Sequence, residues 1–385
     1  MAIKTWTLTD VENDVYVDQL SLGADRLSPG MSVRKRRLRG GLRDEVDVVE
    51  IDNGAFQMTV IPTRGMGLWK ARCGETPIGW NSPVRGPVHP KFVSLAEPSG
   101  IGWLNGFDEL LVRCGLESNG EPEFAENGQL KYPLHGKIAN VPAHRVEVIY
   151  DSDAEEITVR GVVDEARLFC NSMRLTASFT TRRGERGFRL TDEMTNLSLR
   201  EADLELLYHI NVGPPLLDVG SRIVAPVRKL APRTPDAAKA LSQWPDFAEE
   251  LIGQPEHVYY MDLAADSDGM TQALLRNSGG DQGVSLRFSR EQLPYFILWK
   301  SNLPSGDGYV TGLEPSLNFP NTKSYEDSQG RVIKLAPGES RVASIQMTAH
   351  PDSESVQAAE QAVEQLAAGT EPEIHEQPIP GWSNV

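Results

Sequence analysis

Short apolar runs alternate with polar positions along most of the chain and are separated by turn dipeptides; a period of two marks half-buried strands, not helices. Val46-Asp-Val-Val-Glu-Ile51, then Asp52-Asn53-Gly54, then Ala55-Phe-Gln-Met-Thr-Val-Ile61 reads as a hairpin, with Asn-Gly supplying the positive φ angles of its turn. The same pattern predicts strands over 145–150, 157–163, 167–180, 188–195, 204–209, 258–263, 273–277, 284–288, 295–300, 308–314 and 341–348. With no helical pattern between them, these segments predict an all-β fold, a large antiparallel sandwich or a barrel.

Helical spacing is confined to a few places. Residues 235–240 and 247–252 predict short turns of helix. Residues 353–368 carry Val356, Ala359, Ala362, Val363 and Leu366 at helical spacing, which predicts a C-terminal surface helix laid on the sandwich. The polar, Pro-rich run from Gly369 predicts an extended tail unless a neighbouring surface holds it. Residues 1–350 therefore read as one sandwich domain and 351–385 as helix and tail. Residues 1–40 are an N-terminal extension open to edge pairing or to contact with a second copy, so a homo-oligomer stays open.

Composition narrows the partners. Lys and Arg total 38 against 54 Asp and Glu, a formal charge of −16, and the one basic run, Arg34 to Arg39, lies beside Asp44, Glu45 and Asp47. Nucleic acid and anionic membrane surfaces repel such a chain. The first ten residues lack the apolar stretch of a signal peptide and no run of about 18 apolar residues exists, so a cytoplasmic protein is expected. Cys73, Cys114 and Cys170 are odd in number and lack Cys-x-x-Cys spacing, which predicts buried reduced thiols instead of disulfides or a zinc knuckle. The absence of glycine-rich phosphate loops and of a Gly-x-Ser-x-Gly elbow argues against nucleotide-dependent and serine-hydrolase chemistry.

Four side chains at strand ends carry the candidate chemistry. Glu314 closes the apolar run Tyr309-Val-Thr-Gly-Leu and leads into Pro-Ser-Leu-Asn318-Phe-Pro-Asn321, where partial burial would raise its pKa toward that of a useful base. His209 ends Leu206-Leu-Tyr-His, and His135 sits in Pro133-Leu-His-Gly136, where the glycine would let another group approach the imidazole. Arg64 lies in Pro62-Thr-Arg-Gly65. Each alone is an ordinary strand-end residue; together they form a set. His135, His209 and Glu314 could also ligate a divalent metal, although no tight His spacing supports it.

The Glu314 segment with its Asn-Phe-Pro, followed by Pro337-Gly-Glu339, resembles the C-terminal signature of the aldose 1-epimerase, or galactose mutarotase-like, superfamily. Thr195-Asn196-Leu-Ser-Leu leading to Tyr208-His209-Ile-Asn211, Leu134-His135-Gly136 and Thr63-Arg64-Gly65 resemble three further motifs, in family order across roughly residues 45–350. The stretch from Trp103 to Leu116 departs from the usual pattern and resembles an uncharacterised branch known only as a domain of unknown function; Glu256-His257 stands where the family has Asp-His.

The resemblance implies a supersandwich and an isomerase that interconverts the anomers of a reducing sugar, with no cofactor and no metal. Glu314 would be the base, His209 the acid at the ring oxygen and His135 a second donor. Arg64 would hold sugar hydroxyls or orient the base, Asp108, Glu109 and Glu256 would meet hydroxyls, and Trp103, Phe107 and Trp299 would offer a flat platform to a sugar face. A non-catalytic sugar-binding or regulatory module of the same fold is the alternative. A phosphorylated or acidic sugar, gathered by Arg64, Arg113, Lys137 and Lys300, is another.

Overall fold

Strand alternation becomes two sheets in the computed structural model, which describes residues 3–385. Strand Glu156–Ala166 turns Ile157, Val159 and Val163 inward, and its partner Ser172–Arg182 does the same with Met173, Leu175, Ala177 and Phe179. They belong to a ten-stranded sheet ordered Arg222–Val224, Met270–Arg276, Gly283–Ser289, Ser340–His350, Gly187–Asn196, Ser172–Arg182, Glu156–Ala166, Arg145–Asp151, Ile3–Asp10, Val15–Tyr16. A fourteen-stranded sheet packs against it, with the central order Tyr295–Asn302, Tyr309–Ser316, Ala202–Val212, Leu111–Leu116, Gly67–Cys73. Leu175, Phe179 and Leu190 meet Val60, Leu68, Tyr208 and Leu313 between the sheets. Each Val, Leu or Phe side chain among them contributes about 1.5–3 kcal/mol by leaving water.

The middle of the larger sheet is buried on both faces, which is why 204–212 shows no clean alternation. Tyr208, Ile210 and Val212 enter the inter-sheet core. On the opposite face Leu207 joins Val112, Ile297, Trp103 and Phe107 in a second cluster covered by loops. That second face positions the site described below.

Several expectations are corrected. Asp52 pairs with Gln57, so the hairpin turn takes four residues and only Gly54, at φ 93°, has a positive angle. Asn53 is instead buried, and its Oδ1 accepts the N–H groups of Ala55 and Phe56. Residues 167–171 form a hairpin tip, not the start of a strand, because Glu156–Ala166 pairs with Ser172–Arg182 around them. Residues 247–252 make no helix: Phe247 plugs the core while Leu251 and Ile252 are exposed, so no helical face is buried. A short helix over Lys323–Ser328 went unpredicted. Cys170 is exposed, unlike Cys73 and Cys114.

The helix over Ser353–Ala367 buries Val356, Ala359 and Val363, and a neighbouring surface does hold the tail. Glu373–Ile374 pairs in parallel with Lys229 and Leu230, and Trp382 packs on Phe319 with ring centroids 5.0 Å apart. From residues 1–40, Ile3–Asp10 pairs with Arg145–Asp151, while Leu20–Leu22 and Ser32–Arg37 extend the larger sheet to its edge. The basic run is a paired strand face, with Arg36 on Glu50 and Arg37 on Glu45 and Asp47. Among the described residues no helix is long and apolar enough to cross a membrane.

Candidate active site

The loop-covered face of the larger sheet encloses a cleft of about 330 Å³ that brings together His135, His209, Glu256, Trp299 and Glu314, five of the sequence-predicted residues. A wider groove of about 630 Å³ runs over the outer face of strands Ser32–Arg37 to Gly67–Cys73, lined by Arg34, Glu50 and Lys70 among others. It holds no buried titratable group, so the smaller cleft is where chemistry can be tuned by burial.

Strand register places the central pair. Leu207 faces Ser316 and Asn211 faces Gly312 across two antiparallel strands, which sets His209 opposite Glu314. His209 Nε2 lies 3.2 Å from Glu314 Oε1. The contact is close but not aligned, since Oε1 has no hydrogen-bond partner. Gly312 leaves the room: a Cβ there would strike Glu314 Oε1 and come within 2.9 Å of His209 Cε1. The Trp299 and Phe107 rings stand edge-on to His209, with centroids 5.2 and 5.0 Å away.

Hydrogen bonds fix both imidazole tautomers. Asn211 Nδ2 donates to the carbonyls of Glu109 at 2.9 Å and His209 at 3.3 Å, so its Oδ1 faces the His209 ring and accepts from Nδ1 at 2.6 Å. Nε2 of neutral His209 therefore carries the ring's lone pair, on the side nearest Glu314. His135 Nδ1 lies 2.8 Å from the Asn119 carbonyl, which can only accept, so its Nε2 is likewise unprotonated in the neutral ring. The expected role of His135 as a donor is thus revised: while neutral it offers the cleft an acceptor. Gly136 also has another purpose than the one expected. A Cβ there would strike the Ser118 and Gly115 carbonyls, so the glycine admits backbone, not a group approaching the imidazole.

Burial sets the proton preferences. It drives His209 down to about 3, with repulsion from His135 adding to the effect and the Asn211 bond opposing it. It drives Glu314 well above the usual carboxylate range, helped by Glu256 and opposed by Arg233. Burial also lowers His135, against the Asn119 bond and Glu256. The pair thus favours one shared proton, on Glu314.

The rim is charged. Trp299 Nε1 donates to Glu256 Oε2 at 2.7 Å, and Glu256 Oε1 is 3.9 Å from Arg233 Nη1. Arg233 Nη2 also pairs with Glu121, whose Oε2 accepts from Asn384 at 3.0 Å. Arg233 and Glu121 were missed by sequence reasoning. Arg233 follows strand Val227–Pro232 and precedes Thr234-Pro235, the same strand-end pattern that singled out Arg64, so a signal for it existed.

Arg64, Asp108 and Glu109 do not line this cleft. Arg64 and Glu109 are wholly buried and pair with each other, and Arg64 Nη1 donates to Val88 O at 3.1 Å and Asn140 Oδ1 at 2.8 Å. Asp108 accepts from Trp69 Nε1 at 3.1 Å. Glu109 nevertheless touches the site, because its carbonyl holds Asn211. The other cations expected to gather an anion are each committed elsewhere. Arg113 Nη2 bonds Asp192 at 2.8 Å, Lys137 bonds Glu117 at 2.7 Å, and Lys300 Nζ donates to the carbonyls of Gln243, Trp244 and Asp246. No three His, Cys, Asp or Glu side chains converge as a metal site among the described residues, which is the outcome for the His135, His209 and Glu314 ligand set.

The family described as "Domain of unknown function (DUF4432)" matches residues 43–349. A Klebsiella pneumoniae protein named a "putative aldose 1-epimerase" is 33% identical, with a TM-score of 0.95 over 98% of this chain and 99% of its own. A galactose mutarotase-like protein from Clostridium acetobutylicum shares the fold at 18% identity, with a TM-score of 0.55 over 80% of this chain and 96% of its own. Galactose 1-epimerase from Lactobacillus acidophilus does so at 12% identity, with a TM-score of 0.53 over 83% and 98%. No curated protein matches the chain. The chain belongs to the DUF4432 family, a branch of the aldose 1-epimerase, or galactose mutarotase-like, superfamily.

Proposed function

We propose that the chain is an aldose 1-epimerase-type isomerase that opens and recloses the ring of a reducing sugar in the cytoplasm, with Glu314 and His209 as its acid–base pair. The observation that carries this reading is the 3.2 Å approach of His209 Nε2 to Glu314 Oε1 in a buried cleft with a charged rim.

Anomer exchange needs one proton taken from the anomeric hydroxyl and one given to the ring oxygen. With the shared proton on His209, Glu314 takes the anomeric O–H proton while His209 Nε2–H protonates the ring oxygen. The bond from the anomeric carbon to the ring oxygen breaks, a carbonyl forms, and the pair is left neutral. Rotation about the bond to the next carbon and reversal of both transfers give the other anomer. The neutral pair that burial favours is the state that ring opening leaves behind, so the same environment stabilises the open-chain complex. His135 would accept a sugar hydroxyl, Glu256 another, and Trp299 would cover an apolar sugar face. Arg64 and Glu109 would act from below, through the Glu109 carbonyl that orients Asn211.

A neutral sugar fits better than an anionic one. Arg233 is the cleft's cation and already faces two carboxylates, Glu121 and Glu256. Exchange NMR on a panel of aldoses tests the proposal: the protein should speed anomer interconversion of at least one sugar, and no acceleration across the panel would sink it.

A further inference from the structure

The hydrogen bonds behind His135 lead to a carboxylate that the proposed chemistry does not use. Glu205 lies on strand Ala202–Val212, four residues before His209, and is wholly buried. Its Oε2 accepts the Asn119 backbone N–H at 3.0 Å, and its Oε1 accepts from Asn318 Nδ2 at 2.8 Å. Asn119 Nδ2 in turn donates to Asn318 Oδ1 at 2.9 Å. The carbonyl of the same Asn119 takes the His135 Nδ1–H, and the next carbonyl, of Gly120, takes the His135 backbone N–H at 2.9 Å. His135 itself sits at φ 57°, a conformation that costs a non-glycine residue free energy and persists only where its surroundings hold it.

The Asn318-Phe-Pro-Asn321 motif completes this support. A Cβ at Gly120 would strike the Asn321 carbonyl, so the two loops lie flush. Burial pushes Glu205 up to about 8, opposed by the Asn119 N–H bond and by Lys323, and both of its oxygens face donors on these two loops, the geometry that favours its charged form.

We propose that Glu205 is a positioning residue for His135: by anchoring Asn119 it holds the carbonyl that keeps the proton on Nδ1 and leaves Nε2 as the ring nitrogen offered to the cleft. The functional part of this inference rests on the reading of His135 as a sugar-binding group. A mere clamp between two loops would affect stability without changing which imidazole nitrogen carries the proton, and that difference can be measured.

Long-range 1H–15N NMR of the imidazoles reads the tautomer directly, with His135 assigned by its loss in His135→Gln. In the wild type His135 should be protonated on Nδ1. In Glu205→Leu the Asn119 N–H loses its acceptor; the His135 signals should move toward a tautomer mixture and KM should rise about fivefold, with kcat within about twofold. Glu205→Gln keeps an acceptor for that N–H, and turning over the Asn318 and Asn119 side-chain amides lets Asn318 Oδ1 accept from the new NH2 group, so it should restore both. Should the Leu variant fail to fold, Glu205→Asp withdraws the carboxylate by one methylene and should show the same spectral change. An unchanged Nδ1–H tautomer in the folded Leu or Asp variant overturns the proposal. A wild type without sugar activity whose tautomer still responds to Glu205 removes the isomerase reading and leaves the coupling standing.

Discussion

His209 and Glu314 occupy opposite positions on neighbouring antiparallel strands, with Nε2 and Oε1 3.2 Å apart, and the residue that makes room for them is Gly312. Gly312→Ala adds one methyl group where Glu314 and His209 already lie, and its backbone is not in the left-handed region, so the effect is local. Activity should fall about 100-fold through misplacement of the pair while the protein still folds. Steady-state kinetics beside a thermal melt checks this; full activity in the variant would mean that the pair tolerates displacement.

An ordinary histidine would put a break near pH 6.5 in the rate profile. Burial takes His209 down to about 3 and Glu314 well up, so the pair keeps its single proton across the neutral range. A kcat/KM that stays level from pH 6 to 7 is therefore expected, and a break near 6.5 would show that a solvated histidine controls the reaction.

Trp299→Phe keeps a ring beside His209 and removes the indole N–H that holds Glu256 at 2.7 Å. One such bond is worth about 1 kcal/mol, so KM should rise about fivefold with kcat nearly constant. A change confined to kcat would place Trp299 in the chemical step instead.

Asp108 lies outside the cleft, and its Oδ1 has no partner. Burial, then repulsion from Glu109, pushes it up to about 7. Between about pH 4 and 7 the unfolded chain has released this proton while the folded chain retains it, so folding stability falls as pH rises. The contribution is complete below about pH 4 and lost as pH passes about 7, with a slope approaching 1.4 kcal/mol per pH unit. Asp108→Asn should flatten this part of the profile and leave sugar turnover near that of the wild type. Denaturant unfolding from pH 4 to 8 measures it, and parallel curves for the two proteins would contradict the assignment.

The sheets were legible from the alternation of apolar residues and His135 from its turn; His209 and Glu314, expected at strand ends, instead lie inside strands Ala202–Val212 and Tyr309–Ser316, because the ladder between them continues past both. What was not legible depends on which way a side chain leaves a turn. Arg64 and Arg233 stand in similar strand-end sequences, yet Arg64 turns inward onto Glu109 and Arg233 faces the cleft. Only packing against distant loops decides between them. Residues 247–252 show the same limit: Phe247 is claimed by the core, which leaves Leu251 and Ile252 outside and no helix. The tail was open for a similar reason, since Trp382 finds Phe319 only once the strands between them are in place.

The most direct test of the acid–base pair is exchange NMR of aldose anomers with wild type, Glu314→Gln, His209→Asn and the double variant. Wild type should accelerate a sugar in the panel, each single variant should lose about 100- to 10,000-fold, and the double variant should lose little more, because one shared proton serves both groups. Single variants that match the wild type, or losses that simply multiply in the double variant, would contradict a pair acting as one unit.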